Sequence, residues 1–183
     1  PDALLKLAAN ENVKIIYVAN PDNPMGTVWP AADVQRFIDA VPHDVMLMLD
    51  EAYTEFADAN TRPAIDTSRK NLLRFRTFSK AYGLAGARVG YVIGHADVIK
   101  AFDKIRNHFG VARLSQVAAI AALKDQDWLK HVIEQVGAAR MFIADIASGN
   151  GFDTISSAAK FVAIDCGRDC AFAKAVASCL LPR

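Results

Sequence analysis

Thr77-Phe78-Ser79-Lys80-Ala81-Tyr82-Gly83-Leu84-Ala85-Gly86-Ala87-Arg88 directly follows the mainly apolar run Leu72-Leu73-Arg74-Phe75. A lysine leaving a strand in this setting is a candidate imine-forming amine. Two hydroxyls precede it, two glycines allow a tight backbone turn, and an arginine follows. Together these make a seat for one phosphate ester. One cofactor needs both chemistries: pyridoxal 5'-phosphate, whose aldehyde takes the lysine and whose phosphate takes the hydroxyls and the arginine.

Upstream, Lys14-Ile15-Ile16-Tyr17-Val18 reads as a buried strand that ends in the turn-forming segment Asn20-Pro21-Asp22-Asn23-Pro24-Met25-Gly26. A second run, Val45-Met46-Leu47-Met48-Leu49, ends in Asp50-Glu51-Ala52-Tyr53. In open α/β sheets the ligand crevice lies outside the carboxyl ends of the strands, so these polar clusters are expected to converge although they are far apart in sequence. Each then has a task. Asp50, ionised, sits beside the pyridine nitrogen and favours its protonated form. Asn23 and Tyr53 donate to the ring hydroxyl, Arg88 offers a bidentate fork to the phosphate, and Thr77 or Ser79 adds a hydroxyl. Lys80, once released by substrate, carries a proton as a free amine.

Asn-Pro-x-Asn-Pro-x-Gly, Asp-Glu-Ala-Tyr-x-Glu-Phe and Thr-x-Ser-Lys-x-x-Gly-Leu-Ala-Gly-x-Arg, in this order, resemble the large domain of fold-type I aminotransferases. Asp50-Glu51-Ala52-Tyr53-Thr54-Glu55-Phe56 is most similar to the histidinol-phosphate aminotransferase group; Glu55 and Phe56 mark the subgroup rather than a role. The resemblance implies a three-layer α/β fold with a mostly parallel sheet, followed by part of a smaller α+β domain. It implies an internal aldimine at Lys80 with pyridoxal 5'-phosphate, Asp50 at the ring nitrogen, Asn23 and Tyr53 at the ring hydroxyl, and Arg88 with Thr77 or Ser79 at the phosphate. Met25 departs from the family's usual threonine. The implied reaction is transamination between an amino-acid donor, histidinol phosphate or an aromatic amino acid, and the 2-oxo acid 2-oxoglutarate, in a homodimer. Two alternatives stay open: decarboxylation of an amino-acid phosphate by the same cofactor, and a non-enzymatic cofactor-binding regulatory module.

The family pattern also includes an amino-terminal phosphate turn and a ring-stacking aromatic, neither of which occurs before residue 10, and a small-domain arginine for the substrate carboxylate. With the chain stopping at Leu181-Pro182-Arg183, these residues are expected to be the middle portion of a longer polypeptide.

Composition points to a globular protein: 183 residues, 52% hydrophobic, 22% charged, net charge +1. The 21 basic and 20 acidic residues are interspersed without a basic block, which argues against a nucleic-acid or membrane surface. No apolar run reaches transmembrane length. Cys166, Cys170 and Cys179 are unpaired by spacing and suit a reducing, cytoplasmic setting. They read as small buried residues, and His43, His95, His108 and His131 show no metal-ligand spacing.

Two lobes are expected, residues 1–123 as a partial large domain and 124–183 as a connecting helix with part of a small domain. Helices are expected over Ala31 to Ala40, Asp97 to Arg106, Gln116 to Leu123 behind a Ser115 cap, and Asp127 to Ala147. Strands are expected over Val89 to Gly94 and Lys160 to Asp165. The cluster Arg106 to Gly110 reads either as a lining of the substrate pocket or interface, or as a helix end capped by Gly110.

Overall fold

Three apolar runs and a fourth strand build a single sheet in the computed structural model, which describes residues 2–107 and 109–167. The readings made for His108, Cys170, Cys179 and residues 181–183 lie outside the described residues. Strands β1 (Ile15–Ala19), β2 (Met46–Asp50), β3 (Leu72–Thr77) and β4 (Gly90–Gly94) lie in that order. The first three are parallel and β4 runs antiparallel to β3, so the sheet is mostly parallel, as expected, with one antiparallel strand.

Alternation along the strands decides which face is covered. Ile16 and Val18 of β1, Leu47 and Leu49 of β2 and Leu72 of β3 point to one side. There they meet Val34, Phe37 and Ile38 of helix α2 (Ala31–Ala40) and Ala8 of helix α1 (Asp2–Ala8). The apolar positions of α2 share one helical face, while Asp33 and Arg36 pair on the outside. Each such buried Val, Leu, Ile or Phe side chain contributes about 1.5–3 kcal/mol relative to exposure. The other face of β1 carries Ile15 and Tyr17, 61% and 59% exposed, so the strand read as buried is covered on one side by the described residues.

The exit from β2 is fixed by a buried ion pair. Glu51 accepts from Arg74 Nη2 at 2.6 Å and Arg74 Nε at 3.1 Å, a bidentate fork between side chains 3% and 1% exposed. Arg76 Nε donates to the same carboxylate at 3.0 Å. The rest of the Arg74 guanidinium donates to the carbonyls of Ala64 and Pro63, tying down the long β2–β3 connection. Arg74 therefore interrupts the apolar run for a structural reason.

Beyond β4 come α3 (Ala96–Phe102), α4 (Arg113–Lys124), α5 (Gln126–Gly149) and a two-stranded antiparallel sheet of β5 (Asp153–Ile155) and β6 (Ala163–Asp165). Three expectations need correction. Helix α3 stops at Phe102 rather than Arg106, with residues 103–106 continuing as a hydrogen-bonded turn. Gly110 caps no helix end, and its φ is not in the positive range where Gly26, Gly83, Gly151 and Gly167 lie. Ser115 is not a cap: α4 begins at Arg113 behind Ala112, and Ser115 is buried inside its first turn. At α5, by contrast, the Asp125 side chain accepts from Trp128 N at 3.0 Å. Its far end closes on Gly151 at φ +78, with Phe152 N–H reaching Ala147 O and Gly151 N–H reaching Ser148 O, the double bond of a left-handed stop. No helix among the described residues is long and apolar enough to cross a membrane.

Removing Glu51 leaves two guanidinium groups in a site built around one carboxylate. Glu51→Ala is expected to destabilise the protein by about 3–5 kcal/mol in urea unfolding; a loss below about 1 kcal/mol would show that the pair carries no structural weight. Glu55 carries a different cost. It is buried in the short 3-10 turn Thr54–Phe56, and its Oε2 has no partner among the described residues. Burial raises its carboxyl above the ordinary value, against opposing contributions from its own backbone N–H and from Arg76 and Arg62. A raised acid binds its proton more tightly folded than unfolded, so its contribution is favourable below the ordinary carboxylate range and is lost as pH rises through the folded value. Glu55→Gln should therefore gain on wild type between pH 4 and pH 8 when unfolding midpoints are compared, and an equal difference at both pH values would contradict this.

Candidate active site

Strand register gathers the polar clusters. Ala19 pairs with Asp50 and Asp50 with Phe75, so the carboxyl ends of β1, β2 and β3 fall on one line. Because β4 is antiparallel, its starting residue Gly90 faces Thr77, and Arg88 just before it reaches the same edge. The Asn20-to-Gly26 turn, the Asp50-to-Tyr53 turn, Ser79, Lys80 and Arg88 thus share one rim although they span much of the chain.

Two adjoining hollows open there. A cleft of about 610 Å³ is lined by Tyr17, Asn20, Asn23, Asp50, Tyr53 and Lys80, among others. Beside it, a hollow of about 370 Å³ is lined by Asp50, Arg76, Thr77, Ser79, Lys80 and Arg88. Asp50, Ala52 and Lys80 belong to both. All seven residues expected from sequence therefore meet here, and two that sequence reading passed over, Tyr17 and Arg76, join them.

In the first hollow Asn23 Nδ2 donates to the Tyr53 hydroxyl at 3.3 Å, and Lys80 Nζ stands over the Tyr53 ring at 5.4 Å from its centroid. Phe161 packs edge-on against the same ring, 5.2 Å between centroids. Asp50 accepts from Ala52 N at Oδ1, 2.9 Å, and from the Tyr17 hydroxyl at Oδ2, 2.5 Å. That bond to Asp50 is the chief reason the Tyr17 phenol is pushed up to about 12, with burial adding to it. The Asn20 side chain anchors the turn by accepting from Trp29 N at 2.8 Å.

In the second hollow the Thr77 hydroxyl accepts from Ser79 N at 3.0 Å, which turns the chain toward Lys80. Arg88 adopts the left-handed conformation, φ 49 and ψ 48, uncommon for a residue with a Cβ, and donates one N–H to Ala85 O. Such strain is held at sites where side-chain direction matters. Arg76 brings a second guanidinium: burial lowers its proton affinity, but the Glu51 carboxylate and the Tyr91 phenol together raise it on balance.

The second sheet also reaches this rim. Ala158 N donates to Gly26 O at 2.8 Å, and a Cβ on Gly26 would stand 2.2 Å from Ser157 Oγ. Arg140 of α5 holds that segment by donating to the carbonyls of Ser157 and Ala159. Only glycine allows the Asn-Pro turn and residues 156–159 to approach so closely, and φ +75 at Gly26 requires it again. Sequence reading gave Gly26 as part of a turn; its partner was not legible. Tyr17 had a signal in the alternation, since Tyr17, Met48 and Asp50 occupy the sheet face opposite Val18 and Leu49.

Known proteins carry related chains. An aromatic amino acid aminotransferase of Streptomyces coelicolor is 42% identical over 172 residues, covering 92% of this chain and 48% of the relative. A histidinol-phosphate aminotransferase of Carboxydothermus hydrogenoformans is 39% identical over 161 residues, 86% of this chain and 44% of the relative. The crystal structure of histidinol-phosphate aminotransferase from Sinorhizobium meliloti in complex with pyridoxal-5'-phosphate superposes with a TM-score of 0.94 at 48% identity, covering 98% of this chain and 49% of that one. The chain thus spans about half the length of the relatives it matches. Residues 2–181 match the family Aminotransferase class I and II, and the chain belongs to that family.

Proposed function

We propose that this chain forms the cofactor-facing part of a pyridoxal-phosphate-dependent aminotransferase that moves an amino group between an amino acid and 2-oxoglutarate. The observation that carries the reading is the pairing of the two hollows across Asp50 and Lys80, one also lined by the phenols of Tyr17 and Tyr53 and the amides of Asn20 and Asn23, the other by two hydroxyls and two guanidinium groups. That donor set fits the cofactor. Asp50 suits a pyridine nitrogen, Asn23 and Tyr53 a ring hydroxyl, Lys80 an aldehyde, and Thr77, Ser79 and Arg88 a phosphate. Bound there, pyridoxal phosphate would supply an electron-accepting ring for the substrate's alpha carbon.

The chain's own residues do the rest. Lys80 is the amine that anchors the cofactor, and once freed by substrate its nitrogen takes and returns the alpha proton. Its place over the Tyr53 ring keeps Nζ inside the cleft. Tyr53 is itself braced by the edge-on contact with Phe161. The relatives' names support histidinol phosphate or an aromatic amino acid as donor. Residues 1–123 are assigned to a large domain and 124–183 to a connecting helix with part of a small one. The protein is proposed to work in the cytoplasm as a homodimer.

Borohydride reduction of the loaded protein that carries this chain, followed by peptide mapping, is expected to place the pyridoxyl group on Lys80; a label on another lysine would overturn the assignment. Histidinol phosphate, then phenylalanine and tyrosine, should each be tried as donor, followed by 2-oxoglutarate. The cofactor's absorbance is expected to change on donor addition and to return with the oxo acid. Release of carbon dioxide in place of that cycle would identify a decarboxylase.

A further inference from the structure

Asp50 is held from two directions. The Ala52 N–H fixes Oδ1 from its own turn, and the Tyr17 hydroxyl fixes Oδ2 from the neighbouring strand. Tyr17 sits opposite Met48 in register, so its ring lies along the sheet face toward Asp50, two residues further on. The phenol stays a donor through the neutral range, since its proton is held to about pH 12. A ring merely covering the sheet would need no hydroxyl, and this one is more than half exposed.

We propose that Tyr17 is a positioning residue that orients the Asp50 carboxylate and keeps a proton shared with a bound pyridine nitrogen on the nitrogen. This rests on the cofactor reading given above. A carboxylate oxygen that already accepts a short hydrogen bond competes less for a second proton. Without the phenol, Asp50 turns more freely and draws the shared proton toward itself. A ring that keeps its proton is the better electron acceptor, so the hydroxyl acts on the chemistry through Asp50 without touching substrate.

Tyr17→Phe in the loaded protein removes one oxygen from an exposed ring and leaves the core intact. With ¹⁵N-labelled pyridoxal phosphate, the ring nitrogen resonance is expected to move toward the neutral pyridine position. The pH midpoint of the bound cofactor's absorbance should rise by about half a unit or more, because a less positive ring tolerates a second nearby proton better. Turnover should fall about tenfold with little change in KM, the pattern of an effect on the chemical step. In an Asp50→Asn background the same substitution should add nothing, since the partner is gone. An unshifted resonance and midpoint in Tyr17→Phe, beside a normally loaded wild type, would overturn this proposal alone. A wild type that takes up no pyridoxal phosphate would overturn the cofactor reading and this one with it.

Discussion

Glu51 holds Arg74 and Arg76 with one buried carboxylate, and most of what surrounds the rim depends on that arrangement. Burying a carboxylate and a guanidinium costs several kcal/mol of hydration for each ion, and the attraction repays it only when geometry is good and remaining donors are satisfied. Both conditions hold. The Arg74 fork is bidentate, and its other N–H groups reach Pro63 and Ala64 carbonyls. An apolar substitute could fill the same space but could not fix the direction of the backbone. The ion pair fixes where the chain leaves β2, which is where Asp50 ends and Tyr53 begins. Arg76 carries the same constraint into the neighbouring hollow, adding its charge beside Arg88.

A parallel register and one antiparallel strand account for the convergence of distant residues. Three strand ends align because β1, β2 and β3 run the same way; Arg88 joins them because β4 runs the other way and therefore begins at their edge. The two hollows differ in charge for the same reason. The Asp50 acid and the Tyr53 phenol come from the end of β2 and the Tyr17 phenol from β1, cations and hydroxyls come from β3 and the approach to β4, and Lys80 stands between them. Had β4 been parallel, Arg88 would lie at the opposite edge of the sheet.

Much of this was legible in the sequence, because strand-end turns carry their chemistry in short local patterns. Asn23, Asp50, Tyr53, Thr77, Ser79, Lys80 and Arg88 follow apolar runs directly, and the rule that ligands gather at strand carboxyl ends brings them together. Helix α2 was legible end to end, since Pro30 before it and the Val34, Phe37, Ile38 stripe within it agree. What escaped depends on partners remote in sequence. Arg74 looks like a flaw in an apolar run until Glu51 is seen across the strand. A buried arginine always needs such a partner, so the flaw was itself the signal. Ser115 misled because a serine before an alanine-rich run resembles a cap, whereas the helix gains a further turn from Arg113 onward. Helix α1 and strand β5 are too short for periodicity to define.

Contact between the Asn-Pro turn and the second sheet ties the site to a part of the chain that carries none of its chemistry. Phe161 packs edge-on against Tyr53 and Ala159, fully buried, belongs to the same apolar cluster, while Ala158 is hydrogen-bonded to Gly26. Arg140 reaches across from α5 to hold the carbonyls on either side of Ala158. One short segment therefore braces both the turn that carries Asn23 and the ring on which Lys80 rests. Any movement of α5 relative to the first sheet would pull on Gly26 and Tyr53 together, since both are joined to residues 157–161 by direct contacts. The absence of a side chain at Gly26 is what lets this brace close: a methyl group there would collide with Ser157 and part the turn from the segment.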